Sequence, residues 1–324
     1  MKKHNTLCLF IVLLFLTLYF SCKKDDDTSN TNMDTNYQIG KNRFTKNIKG
    51  DEREYYVHVP SIYDKNHETP VVFMLHGTSG DGEKFYNYSG WKELGEIENI
   101  ITVYPSSWHH CIFEINGQQK HTTKWHVYPG GFTYCSGEIP KDDIHFLKEI
   151  INELHQKFNI DSKRIYMVGF SNGGAMAFRS AVEMSDTFAA VVEASGTIQV
   201  DTLVVPKRQL PIYFQTGNSD DKFLGPNKDV PITSIDSLLS SPGLKPIMNT
   251  HLNSFNFSHG YSSIAIGLNG TSQITYSALK PDTHNRHLKF ILIEDLEHIY
   301  PNGFNHPFKA AEAHWEWLKD FSLP

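Results

Sequence analysis

The sequence predicts an α/β fold, a mostly parallel central sheet with helices on both faces. Three observations carry that expectation. Short runs such as Val71-Val72-Phe73-Met74-Leu75 are apolar throughout, as strands covered on both faces must be. Between such runs lie stretches whose apolar residues recur three or four apart, the mark of a helix with one buried face. One strand-like run, ending at Val168, leads at once into the glycine-rich segment Gly169-Phe170-Ser171-Asn172-Gly173-Gly174. The 324 residues are 40% hydrophobic and 20% charged, which excludes disordered, collagenous and coiled-coil chains. A formal charge of −6, with no basic run longer than two residues, Lys2-Lys3 and Lys23-Lys24 among them, points to no nucleic-acid partner.

Lys2 and Lys3 precede an almost uninterrupted apolar run over residues 7–20, followed by Ser21-Cys22, the order of a secretory signal. The run is shorter than the roughly 20 residues a membrane-spanning helix needs. Leu18-Tyr19-Phe20-Ser21-Cys22 resembles a bacterial lipobox. That resemblance implies a signal peptide over 1–21, a lipid on Cys22, a polar linker over 22–36, and an extracytoplasmic, outer-membrane lipoprotein held to the membrane by its lipid alone. A plain secreted protein is the alternative. Lys23-Lys24-Asp25-Asp26-Asp27 looks like the acidic export tag of surface-displayed lipoproteins or, equally, a solvated linker, so the periplasmic and surface faces both stay open. Of the four cysteines, Cys8 falls in the signal. The remaining pair, Cys111 and Cys135, is expected to form a disulfide in an exported protein. None of the four shows the short paired spacing of a structural zinc site.

Residues 37–324 hold no repeat and no second low-complexity linker, so one domain is expected there. The runs 55–59, 71–75, 100–104, 164–168, 189–192 and 212–214 read as strands. Ile144, Leu147, Ile151, Leu154 and Phe158 form one stripe on a helix ending near Asn159, and Phe308, Ala311, Trp315 and Leu318 form another on a last helix begun by Pro307. In such sheets ligands sit beyond the carboxyl ends of the strands, so chemistry belongs just after each one.

Gly169-Phe170-Ser171-Asn172-Gly173 has the pattern G-x-S-x-G between a strand and a helix, where a strained turn lifts a serine above the sheet. A serine hydroxyl is a poor nucleophile at neutral pH and needs a histidine base oriented by a carboxylate. In this arrangement the partners follow in the order serine, acid, histidine. After the strand 212–214 comes Gln215-Thr216-Gly217-Asn218-Ser219-Asp220-Asp221, which makes Asp220 the expected acid and Asp221 the alternative. After the strand 288–293 comes His298, the expected base. Acyl transfer also needs two donors for the oxyanion. Asn172 follows the nucleophile, and Thr78 stands in Leu75-His76-Gly77-Thr78-Ser79-Gly80 after an early strand, so their N–H groups are expected to supply them.

These segments resemble the α/β-hydrolases of the polyhydroxybutyrate depolymerase and feruloyl esterase type, grouped with carbohydrate esterase family one. Leu75-His76-Gly77, Asp142-Asp143-Ile144, the run from Ile160 to Met176, the Gly217-to-Asp220 loop and Glu297-His298-Ile299-Tyr300-Pro301 carry the resemblance. The family usually has His-Gly-Thr/Ser where this chain has Gln215-Thr216-Gly217, and Gly-His-Thr-Trp-Pro where it has Glu297-His298-Ile299-Tyr300-Pro301. The resemblance implies hydrolysis of carboxylic esters through an acyl-enzyme on Ser171, without metal or dissociable cofactor. It implies as substrate an esterified plant polysaccharide or its fragments, carrying feruloyl or acetyl groups. A polyester depolymerase or a peptidase with the same triad is one alternative, and a non-catalytic surface glycan-binding lipoprotein is another.

Two long segments stand outside this frame. Residues 222–287 contain a strand over 273–279 expected to pair with 288–293; the part before it reads equally as a lid or as a connection. Residues 106–140 carry Trp108, Trp125, Tyr128 and Tyr134, which either face the substrate or pack the loop.

Overall fold

Polar edges and apolar interior strands build one large sheet. The chain divides into two units, residues 1–32 and 33–324. The computed structural model describes residues 36–114, 117–127, 133–198, 203–224, 235–264, 270–278 and 286–324, all within the second. Cys8, Cys22, the leader and most of the linker lie outside the described residues.

The hairpin β1 (Gly40–Ile48) and β2 (Asp51–Val59) is followed by β3 (Thr69–Leu75), α1 (Gly82–Tyr88), α2 (Trp91–Glu98) and β4 (Ile101–Pro105). An excursion of three strands, β5 (Trp108–Phe113), β6 (Gln119–Lys124) and β7 (Thr133–Tyr134), precedes α3 (Asp143–Lys157). Then come β8 (Ile160–Phe170), α4 (Asn172–Glu183), β9 (Val191–Ala194), β10 (Ile212–Gly217) and the short α5 (Asp221–Leu224). The last part holds α6 (Ile235–Leu239), α7 (Leu244–Ser254), β11 (Phe257–Ile264), β12 (Thr271–Ala278), β13 (His287–Ile293) and α8 (Ala310–Leu318).

The main sheet runs β1-β2-β4-β3-β8-β9-β10-β13-β12-β11. Neighbours from β4 through β13 are parallel, and the strands beyond them on each side pair antiparallel. All seven residues of β3 are buried, but they divide by parity. Val71, Phe73 and Leu75 join a core with α3, α4 and α7, whereas Val72 and Met74 join a second core with α1, α2 and α8. Strand alternation thus gives each face its own helices.

The last helix begins at Ala310, later than Pro307 suggests. Lys309 is extended and bridged to Asn302, and the Ala310 N–H donates to the Pro301 carbonyl, so the chain is still pairing with an earlier turn where the proline would have started a helix. Its stripe is as expected, with Phe308, Ala311, Trp315 and Leu318 in one core. In the 222–287 segment α7 buries Leu244, Met248 and Leu252, and β12 pairs with β13, so these described parts are core and sheet. Residues 225–234 lie outside the described residues.

Candidate active site

Ser171 is the one residue between β8 and α4, at φ 54°, ψ −121°. A non-glycine residue there is strained and must be held by its surroundings. Its N–H donates to the Ala194 carbonyl at the end of β9 (2.8 Å). The turn tolerates no side chain on either flank. A Cβ on Gly169 would lie 2.0 Å from the Gly173 carbonyl oxygen, and one on Gly173 would lie 2.2 Å from that of Leu75.

The Ser171 Oγ–H donates to His298 Nε2 at 2.8 Å, and His298 Nδ1–H donates to both Asp220 oxygens at 2.9 Å. A carboxylate can only accept here, so it places the imidazole proton on Nδ1 and leaves the Nε2 lone pair for the serine. Asp220 is fully buried, while the His298 side chain keeps 13% exposure. The loops that bring them together are stitched to each other. The Asn218 N–H donates to the Ile293 carbonyl (2.9 Å), the Asp295 N–H to Asn218 Oδ1 (2.8 Å), and the Ser219 N–H to the Leu296 carbonyl (3.2 Å). Asp221 is instead exposed at the start of α5.

Asn172 opens α4, where a backbone N–H has no partner within the helix and the dipole favours negative charge. Its side chain is committed to the backbone of Trp125, accepting from the N–H (2.7 Å) and donating to the carbonyl (3.4 Å). Thr78 stands next to Gly77, whose added Cβ would lie 3.0 Å from that of Ser171. In the same loop the Ser79 N–H donates to Thr123 and the Gly80 N–H to Gly77, so both are spent. Trp125 joins the two segments, because its buried indole N–H also donates to the His76 carbonyl (2.9 Å). The sequence marks Trp125 only as one aromatic in a long loop; the structure makes it the clamp between Asn172 and the Thr78 loop.

His76 itself is neutral. It accepts the Ser107 N–H on Nε2 (2.9 Å) and donates from Nδ1 to the Gly77 carbonyl (2.7 Å), and burial holds its pKa down to about 4. Behind the His298 loop, the Trp91 indole donates to the Tyr300 hydroxyl (2.9 Å), which donates to His314 Nδ1 (3.1 Å), whose Nε2–H donates to Gln215 (2.7 Å). Gln215 and Tyr300 are two of the positions where the sequence departs from the depolymerase and feruloyl esterase pattern, and here both belong to one buried relay. A second buried carboxylate–histidine pair joins β9 to α7, with His251 Nε2 3.0 and 3.2 Å from the Glu193 oxygens and Nδ1 2.9 Å from the Ile247 carbonyl.

A buried ion pair supports the excursion. Arg53 donates to Asp143 Oδ1 (2.8 Å) and to the Ser106 carbonyl (3.1 Å), while the His126 N–H donates to Asp143 Oδ2 (2.7 Å). Cys111 and Cys135 are disulfide-linked across 24 positions, a closure worth about 3 kcal/mol in the chain-entropy treatment. Tyr128, a further candidate for facing the substrate, lies outside the described residues. Among the described residues no group of three or more His, Cys, Asp or Glu is placed to hold a metal ion.

A mostly parallel sheet with a serine raised between strand and helix, and a histidine and an aspartate beyond later strands, defines an α/β-hydrolase. The chain belongs to the esterase family, whose model, described as "Putative esterase", matches residues 46–236. It is 26% identical over 177 residues to the bifunctional acetylxylan esterase/xylanase XynS20E of Neocallimastix patriciarum, covering 54% of this chain and 22% of that protein. It is 25% identical over 176 residues to feruloyl esterase D of Neurospora crassa, covering 54% of this chain and 56% of that protein. A 27% identity over 143 residues relates it to poly(3-hydroxyalkanoate) depolymerase C of Paucimonas lemoignei, covering 44% of this chain and 31% of that one. The chain thus spans from about a fifth to just over half of these relatives' lengths. The acetyl xylan esterase of Aspergillus awamori shares the fold, with TM-score 0.56, 16% identity, and coverage of 86% of this chain and 99% of that one.

Proposed function

We propose that this protein is a serine carboxylic-ester hydrolase acting on esterified plant polysaccharide or its fragments, with acetyl or feruloyl groups as the acyl part. One observation carries the reading: a single imidazole bridges Ser171 Oγ at 2.8 Å and both oxygens of Asp220 at 2.9 Å. Ser171 attacks the ester carbonyl as its proton passes to His298 Nε2. Asp220 holds the ring and stabilises the imidazolium that forms. The tetrahedral oxyanion takes the N–H groups of Asn172 and Thr78. His298 then protonates the leaving alcohol, and water, activated by the same nitrogen, releases the acid and restores Ser171. The acetylxylan and feruloyl esterase relatives support the polysaccharide ester as substrate.

Ser171→Ala is expected to reduce turnover of p-nitrophenyl acetate to the uncatalysed level; wild-type rates in the variant would overturn the assignment. Methyl ferulate, acetylated xylan and short poly(3-hydroxybutyrate), assayed side by side, separate the polysaccharide substrate from the polyester.

The leader supports a further reading, that the mature domain is tethered outside the cytoplasm by a lipid on Cys22; the Cys111–Cys135 disulfide suits that oxidising setting. Cys22→Ser is expected to abolish incorporation of labelled palmitate, and unchanged labelling would refute the anchor.

A further inference from the structure

Beside the loop that follows His298 lies a cavity of about 450 Å³, within the range of small-ligand sites. Tyr88, Ile97 and Phe304 give it an apolar rim, and Glu93 and Glu312 stand among its lining residues. Phe304 is 99% exposed and Ile97 74%. Single exposed apolar side chains are ordinary, but these three border one cavity. The phenyl group is also held out on a fixed stem. The N–H groups of Phe304 and Asn305 both donate to Asn302 Oδ1 (3.0 and 3.1 Å), the Asn302 N–H donates to Asn305 Oδ1 (3.0 Å), and Asn302 Nδ2 donates to the Tyr88 carbonyl (2.9 Å). Gly303, at φ 89°, supplies the left-handed turn this needs. A rigid turn that keeps a phenyl ring in water forgoes its burial unless a ligand covers it.

The lining combines aromatic and charged groups that suit a sugar. A pyranose offers an apolar C–H face to an aromatic ring and hydroxyl donors around its edge, while carboxylates can only accept. Lys309, also in the lining, donates to Glu312 (3.0 Å), and Glu93 pairs with Lys92 (3.3 Å), so the cavity carries donors and acceptors side by side, as the hydroxyls of a sugar, which both give and accept, require. A row of packed rings leads from the cavity wall to the candidate triad. Tyr88 packs on Phe85 (5.8 Å between centroids), Phe85 stacks on Phe170 (6.2 Å), and Phe170 packs on His298 (5.2 Å).

We propose that this cavity is a non-catalytic carbohydrate subsite, which holds sugar units of the same chain whose ester is presented to Ser171. This rests on the polysaccharide esterase reading and deepens it. The test uses Ser171→Ala protein, titrated calorimetrically with unesterified xylohexaose and cellohexaose, with and without Phe304→Ala. Saturable binding of at least one glycan, weakened about tenfold or more by Phe304→Ala, is expected. In the active protein, Phe304→Ala should raise KM for acetylated xylan several-fold and leave p-nitrophenyl acetate kinetics unchanged. Because Phe304 is almost wholly solvent-exposed, its removal does not threaten the fold. Absence of glycan binding, or binding indifferent to Phe304→Ala, overturns the subsite even where acetylated xylan is cleaved. Failure to cleave any ester overturns the esterase reading, whereas the glycan titration still reports on the cavity.

Discussion

Two carboxylate–histidine pairs stand beside the same sheet, and they differ in what their second nitrogen meets. In Asp220–His298 the second nitrogen faces a hydroxyl at 2.8 Å that can donate. In Glu193–His251 it faces the Ile247 carbonyl at 2.9 Å, which can only accept. The first imidazole therefore needs one proton and keeps a lone pair free to act as base. The second has an acceptor at each nitrogen, which favours a doubly protonated ring paired with the Glu193 carboxylate, both side chains fully inaccessible. The same two functional groups thus meet a hydroxyl that can give up a proton in one place and a carbonyl that can only accept one in the other.

The largest expected effect breaks the first pair. Asp220→Asn leaves the shape intact but presents an amide that can impose the wrong tautomer on His298, and kcat should fall on the order of 10⁴-fold. Thermal stability should stay near that of the wild type. A loss of less than tenfold would mean that Asp220 does not orient the base.

The corresponding cut in the second pair should act on stability. His251→Phe leaves Glu193 buried and unpaired, which typically costs about 3–5 kcal/mol. Urea unfolding at pH 6 measures this, and kcat per folded molecule should stay within about threefold of the wild type. A stable but inactive variant would overturn the division of roles.

The two pairs were unequally visible before folding. Ser171, Asp220 and His298 each follow a strongly apolar strand in a fixed order, so local pattern locates them. Glu193 interrupts an apolar run and His251 lies 58 positions away on a helix, and nothing local joins them. Edge strands were equally silent. β1 reads GKNRFTKNI because one edge meets water, and β11 and β6 are similarly polar. The parallel interior was legible because burial on both faces makes its strands mostly apolar, with Glu193 and Gln215 admitted only as members of buried hydrogen-bonded pairs.

Trp125 tests whether support of the elbow can be separated from the triad. Trp125→Phe keeps most of the buried area but removes the indole donor from the His76 carbonyl, loosening the loop that carries Thr78. An unpaired buried group costs about 1–3 kcal/mol. We expect kcat to fall about tenfold with little change in KM, as for a group that acts through oxyanion donors. A change in KM alone would assign Trp125 to substrate binding.

The smallest effect is a pH dependence, and it distinguishes the charged pair from the poised one. Burial alone would push the His251 pKa down, but the Glu193 carboxylate and the bonds to it and to Ile247 outweigh this and leave it raised above 6.5. A raised folded value means that the folded protein binds this proton more tightly than the unfolded chain does. Its contribution is therefore complete below the unfolded value of about 6.5 and is lost as pH rises through the folded value. The double variant Glu193→Leu with His251→Phe removes the pair without stranding a charge, so its mean cost should be well below that of His251→Phe alone. The difference in unfolding free energy, wild type minus double variant, should decline as pH rises from 6 toward 9. A difference that stays flat or grows would show that His251 is neutral in the fold, and that the two pairs are chemically alike.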